Sequence, residues 1–217
     1  MMKPSSRCMP HPVTRLAKSF VVLLGALTFS LTATPGMARA QSATADTSKY
    51  TFAGMPWGST SSAVKAALQQ NGYEFVTVDK DGDYNFKGTV LGYPAHVYVF
   101  MDPKGRATKV MVVLKTPSSD ATSVYQRMLG LLIEKYGDPD KSLAFFESPY
   151  YDGDGYEEQA IAIGKGHFIA MWGYSKGDSN NDLAIMIDKD LDVTIGYESY
   201  GWHAEAQRRQ ALSTNAF

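Results

Sequence analysis

Hydrophobic and polar positions change rhythm along this chain, and each rhythm predicts an element. Residues 20–31, FVVLLGALTFSL, are apolar without a period. From 61 to 70 the spacing is helical. Ala63, Val64, Ala67 and Leu68 form one stripe, Ser59 or Thr60 can cap its start, and Asn71-Gly72 suits a left-handed end. Short β segments follow. Glu74 to Val78 and Tyr84 to Lys87 pair across an Asp-Gly turn. Residues 95–101 alternate, with Ala95, Val97, Val99 and Met101 facing one way and His96, Tyr98 and Phe100 the other. DPKGR at 102–106 places a glycine for positive φ and turns the chain into a strand from Thr108 to Lys115.

Helical spacing returns from about Ser119 to Tyr136. Val124, Met128, Leu131, Leu132 and Tyr136 form the stripe, and Tyr125 and Leu129 widen it. Ser118 or Ser119 caps it, Asp120 suits the positive end of the dipole, and Gly137 and Pro139 stop it. Strands are expected next at 142–147, 158–163, 167–174, 183–188 and 193–197, with Gly164-Lys165-Gly166 and the DKDLD of 188–192 closing hairpins. Trp202 to Leu212 reads as a short polar helix. The order is a helix and about four strands, given twice. It predicts an α+β fold with helices packed on one face of an antiparallel meander sheet. The expected domain covers 50–200, in tandem helix-plus-four-strand units 50–116 and 117–200, before a short C-terminal helix and tail at 201–217.

The unperiodic apolar run changes where this domain is expected to work. Lys3, Arg7, Arg15 and Lys18 precede it, Pro35-Gly36 breaks it, and Ala38-Arg39-Ala40 supplies a small-x-small cleavage pattern. Its 12 residues are shorter than the roughly 20 needed to cross a bilayer. Residues 1–40 therefore read as a secretory signal peptide cut after Ala40, and the expected location is periplasmic or secreted. Residues 41–49, QSATADTSK, read as a flexible mature N-terminus. The leader holds five of the 21 basic residues and none of the 22 acidic ones, so the remainder carries 16 against 22, a net charge of −6. That balance argues against nucleic acid as a partner, and no membrane span is expected in the mature chain. The single cysteine, Cys8, also lies in the leader, so stability must come from the core rather than from disulfides.

A capped helix, an abrupt glycine-containing stop and a four-stranded meander, given twice in an exported chain, resemble the β-lactamase-inhibitor-protein architecture. One half resembles the small outer-membrane-assembly lipoproteins of the SmpA/OmlA type. The likeness covers most of residues 52–200 and rests on element order, with PWGST before the first helix and KYGDP after the second as its motif-like pieces. The inhibitor family carries disulfides and the lipoproteins an anchoring cysteine; this mature sequence has neither. The resemblance implies a shape and a non-catalytic binding role.

Candidate chemistry is sparse. His96, His167 and His203 lack the i, i+4 spacing of a zinc site, no serine sits in a G-x-S-x-G elbow, and no glycine-rich phosphate loop occurs. No catalytic residue, metal site or cofactor is assigned. Four loops are rich in carboxylates: Asp79/Asp81/Asp83, Asp152/Asp154/Glu157/Glu158, Asp178/Asp182 and Asp188/Asp190/Asp192. An EF-hand register on Asp154-Gly155 puts Tyr150 and Ile161 where Asp and Glu are required, so these read as hairpin turns rather than calcium loops.

Aromatic residues remain. Tyr150, Tyr151 and Tyr156 crowd one loop. Phe168, Trp172 and Tyr174 share one face of a strand, with Ile169 and Met171 on the other. The more aliphatic face suits the core better. The aromatic face is then an open patch of the kind that anchors a protein or stacks on a glycan. In the opposite arrangement the rings are core and the aliphatics edge the sheet. Trp57 reads as a hydrophobic staple at the first helix. The function expected is an exported binding or inhibitory module of the cell envelope, presenting an aromatic sheet face to a protein or glycan. The alternatives are a carboxylate-based exported hydrolase and an accessory structural protein of the envelope.

Overall fold

The computed structural model describes residues 49–173 and 181–214; the expected signal peptide and Tyr174 lie outside them. Eight strands form one antiparallel sheet, accompanied by four helices, so the fold is α+β. Helix α1 (Ser61–Gln70) precedes strands β1 (Glu74–Val78), β2 (Tyr84–Val90), β3 (Tyr93–Met101) and β4 (Ala107–Leu114). Helix α2 (Ala121–Tyr136) leads to β5 (Lys141–Phe146), α3 (Glu157–Ala162), β6 (Gly166–Trp172), β7 (Asn181–Ile187), β8 (Val193–Ser199) and α4 (Tyr200–Thr214). The spatial order is β1-β2-β3-β4-β8-β7-β6-β5. Each meander keeps its neighbours, and β4 and β8 join the two at the middle of the sheet.

Three hairpin turns share one device. Asp79, Asp102 and Asp188 each accept two backbone N–H bonds on Oδ1, from the residues two and four positions on, at 2.8–3.0 Å. The fourth residue of each turn takes a positive φ: 84° at Gly82, 70° at Gly105 and 64° at Leu191. A short acceptor at the first position and a left-handed fourth residue make a tight turn that matches strand twist. The acidic residues opening these loops are turn formers. Another glycine is set by packing: a Cβ on Gly88 would lie 2.6 Å from the Tyr73 ring.

The inner face of the sheet is closed. Val97, Val99, Val110, Val112, Ile185, Val193 and Ile195 pack against Val64 and Leu68 of α1 and Val124, Tyr125, Met128 and Leu132 of α2. Leu131, expected in the α2 stripe, sits at its margin and is exposed. Tyr50 stacks edge-on against Tyr136, which makes it the first core residue of the described chain. Trp57 is buried ahead of α1 and donates its Nε1–H to Tyr50 O at 3.2 Å.

Two expectations are corrected. The strand expected at 158–163 is replaced by α3 (Glu157–Ala162), and Ile163-Gly164-Lys165 links that helix to β6. Ala160 and Ile161 are both buried, and the backbone N–H of Ala160 donates to Tyr156 O at 2.9 Å in a helical turn. The helices also do not all share one face. α4 lies on the outer face, where Trp202 meets Phe100 at a centroid distance of 5.2 Å. Arg209 holds α4 down. It donates to both oxygens of Asp83 (2.6 and 2.8 Å), to Met101 O and to Glu205 Oε1. Arg208, bonded to the same Glu205, holds that carboxyl below its ordinary value against burial, and Arg209 adds to the effect.

Candidate functional site: the open face of the sheet

Register shows which side chains share the outer face, because directly paired antiparallel residues point the same way. One row runs Lys87, His96, Val113, Thr194, Met186, Ile169, Leu143 across seven strands. A second runs Asn85, Tyr98, Met111, Gly196, Ala184, Met171, Lys141. From β4 to β5 both rows are almost wholly apolar. A third row, Phe100, Lys109, Glu198 and Asp182, is polar beyond Phe100, and α4 covers it. There Lys109 pairs with Glu198 at 2.7 Å and sits over the Trp202 ring, while His203 approaches Asp182 at 3.3 Å. Among the described residues no helix covers the two apolar rows. Met186 is 40 % exposed, Leu143 50 % and Phe145 46 %.

These residues form a site because strands alternate. Every strand from β3 to β8 except the edge strand β5 buries one face in the core, and the other is left to water or to α4. Exposed Met186, Leu143 and Phe145, joined by half-buried Ile169, Met171, Met111 and Val113 on contiguous strands, make an extended apolar surface, which soluble proteins seldom leave without a partner. Methionine side chains repack easily against a partner of irregular shape.

The aromatic residues expected at the site divide. Phe168 and Trp172 lie on the inner face, so the expectation of an open aromatic sheet face is corrected. Trp172 is 1 % exposed and donates its indole N–H to Gly137 O at 2.8 Å, at the end of α2. Phe168 packs edge-on against Tyr125 and Phe146. Burial there pushes the Tyr125 hydroxyl up to about 12. The aliphatic partners Ile169 and Met171 take the outside. Tyr150, Tyr151 and Tyr156 do come together. With Pro149, Asp154 and Gln159 they line a cavity of about 380 Å³, and Tyr151 and Tyr156 are exposed. Tyr150, Tyr151 and Phe168 also line a neighbouring cavity of about 390 Å³ beside β5. The sheet-face residues that the sequence reading left out are Met111, Val113, Met186, Leu143 and Phe145. Their signal is present only once register links separate strands.

Polar groups near these surfaces are already engaged. Asp154 accepts the backbone N–H of Tyr151 and of Tyr156, and Glu157 that of Gly153, so these carboxylates brace the tyrosine loop. His167 bonds Glu147 at 2.9 Å and stacks on Phe145 with ring centroids 4.7 Å apart. Among the described residues, no three histidine, cysteine or acidic side chains gather as a metal site would require. No helix among them is long and apolar enough to cross a membrane. Comparison with known proteins finds no matching family model, curated protein or solved structure.

Proposed function

We propose that this chain is an exported, non-catalytic binding module of the cell envelope whose outer sheet face is occupied by a protein partner. The observation that carries this reading is the apolar pair of rows from β4 to β5, left uncovered while α1, α2 and α3 close the opposite face of β4, β8, β7 and β6. Export rests on the grammar of residues 1–40. A tandem origin for the halves is supported by a helix followed by four sequentially paired strands in each, interrupted by α3 in the second, and by the aspartate turn that recurs in both. A glycan is a second reading, favoured by the three-tyrosine cavity, since such rings stack on sugars.

Site-specific photo-crosslinking in cells tests the protein reading. Crosslinkers at Met186 and Met171 should give adducts with a second protein, and one at exposed Leu131 on α2 should not. Met186→Asp should abolish the adduct at Met171 and leave the unfolding midpoint unchanged. Equal labelling from both faces, or none from the outer face, would sink the idea. Calorimetric titration with oligosaccharides decides the second reading, which requires a heat of binding that Tyr151→Ala removes.

A further inference from the structure

The two edges of the sheet differ. β1 is broken by a bulge between Phe75 and Thr77 and flanked by α1, features that discourage pairing with another chain. β5 is regular. Residues 141–146 pair with β6 without a shift, and residues 141–145 are exposed on both faces. Its open side follows from the ladder. Glu147 N–H donates to Lys165 O at 2.7 Å, so Glu147, Phe145, Leu143 and Lys141 direct their backbone groups toward β6. Ser142, Ala144 and Phe146 direct theirs outward.

We propose that a second copy of this chain pairs with β5 in antiparallel register about a two-fold axis at Ala144. That register alone sets Lys141 opposite Glu147 and Leu143 opposite Phe145, matching charge with charge and apolar with apolar on the outer face. Ala144 meets its own copy, and Ser142 meets Phe146, through about six outward backbone hydrogen bonds. The small side chain of Ala144 allows close approach at the axis. A shift of one residue would put Lys141 opposite Phe146 and leave Glu147 unmatched. The pairing continues the apolar rows from one copy into the next, because Leu143 and Phe145 belong to both the face and the edge. It does not depend on which partner occupies the outer face.

The test uses the chain expressed with its own leader. Sedimentation across a dilution series should show a reversible dimer. A carbodiimide should join Lys141 to Glu147 between copies. Within one strand these side chains are about 20 Å apart, so an intramolecular link cannot form. Ala144→Pro removes an N–H that already faces outward, so its own sheet keeps its ladder while the dimer and the cross-link are lost. Lys141→Glu should weaken the dimer at least tenfold, and combining it with Glu147→Lys should restore it. A monomer at every concentration overturns the proposal and leaves the edge to an extended segment of a different protein. A dimer that keeps its affinity in Lys141→Glu, or that lacks the Lys141–Glu147 link, overturns it as well.

Discussion

On β6, Phe168, Ala170 and Trp172 point one way and Ile169 and Met171 the other. Both sets are apolar, yet they meet different surroundings. The inner set is enclosed by α2 and α3, and its one polar group, the indole N–H, finds the Gly137 carbonyl. Among the described residues no helix covers the outer set, and α4 closes only the polar row at one end. Apolarity alone does not decide burial in a single sheet that helices cover unequally on its two faces. Burial follows whichever face the helices cover. What remains outside is surplus to folding and available for binding.

The largest expected contrast is between the two sides of β6. Trp172→Ala should cost about 3–5 kcal/mol by urea unfolding, from lost transfer energy plus a cavity. Met171→Ala, at the neighbouring residue of the same strand, should cost about 1 kcal/mol or less. Similar losses at both positions would dissolve the distinction between the faces. Next comes the helix that covers part of the outer face. Arg209→Met leaves Asp83 and Glu205 buried without their shared cation, and should cost about 3 kcal/mol. Trp202 fluorescence should shift to the red as α4 loosens.

Acid should loosen the same corner by a smaller amount. The Glu205 carboxyl is held below its ordinary value of 4.5, so its contribution is fully present above that pH and is lost as pH falls through the lowered value. The Trp202 signal should therefore stay flat down to about pH 4.5 and change only below it, and Glu205→Gln should remove that step. A transition centred near neutrality would show that another group governs α4. On the open rows, Met186→Ser should move the unfolding midpoint by the equivalent of about 0.5 kcal/mol or less. Leu191→Gly should have the smallest net effect. Relief of about 1 kcal/mol of left-handed strain opposes the loss of a partly buried side chain that packs on the core. A loss above about 2 kcal/mol would mean that Leu191 packing outweighs its strain.

Much of the fold was legible because local rules agree with the final structure. The α2 stripe, the alternation of residues 95–101 and the turn at 102–106 are each decided by nearby residues. Two features were not. EEQAIA is only six residues long, and over that length a helix and a strand place the apolar positions almost equally well. The loop braces at Asp154 and Glu157, which sit ahead of or at the start of α3, tip the balance toward a helix. The face of β6 was illegible for another reason. Its outer face opens with His167 but continues with the apolar Ile169 and Met171, and the other polar markers of the outside, His96, Thr194 and Glu198, lie on other strands. Their relation to Ile169 and Met171 exists only in the register of the assembled sheet. The same limit hid Met111, Val113 and Met186 as parts of one surface.

The junction of β4 with β8 has a consequence for how the molecule is made. The strand at the centre of the sheet is the last strand in the chain, and the Lys109–Glu198 pair across it spans 89 positions. A chain emerging from its N-terminus can form the first meander early, but β4 keeps an unpaired inner edge until β8 arrives. During that interval the nascent protein exposes a long, valine-rich strand edge, the kind of surface that recruits chaperones or wrong partners. Folding speed is then governed by one late, distant closure rather than by the many short turns, and losing the last two elements would leave two open half-sheets instead of one slightly smaller protein.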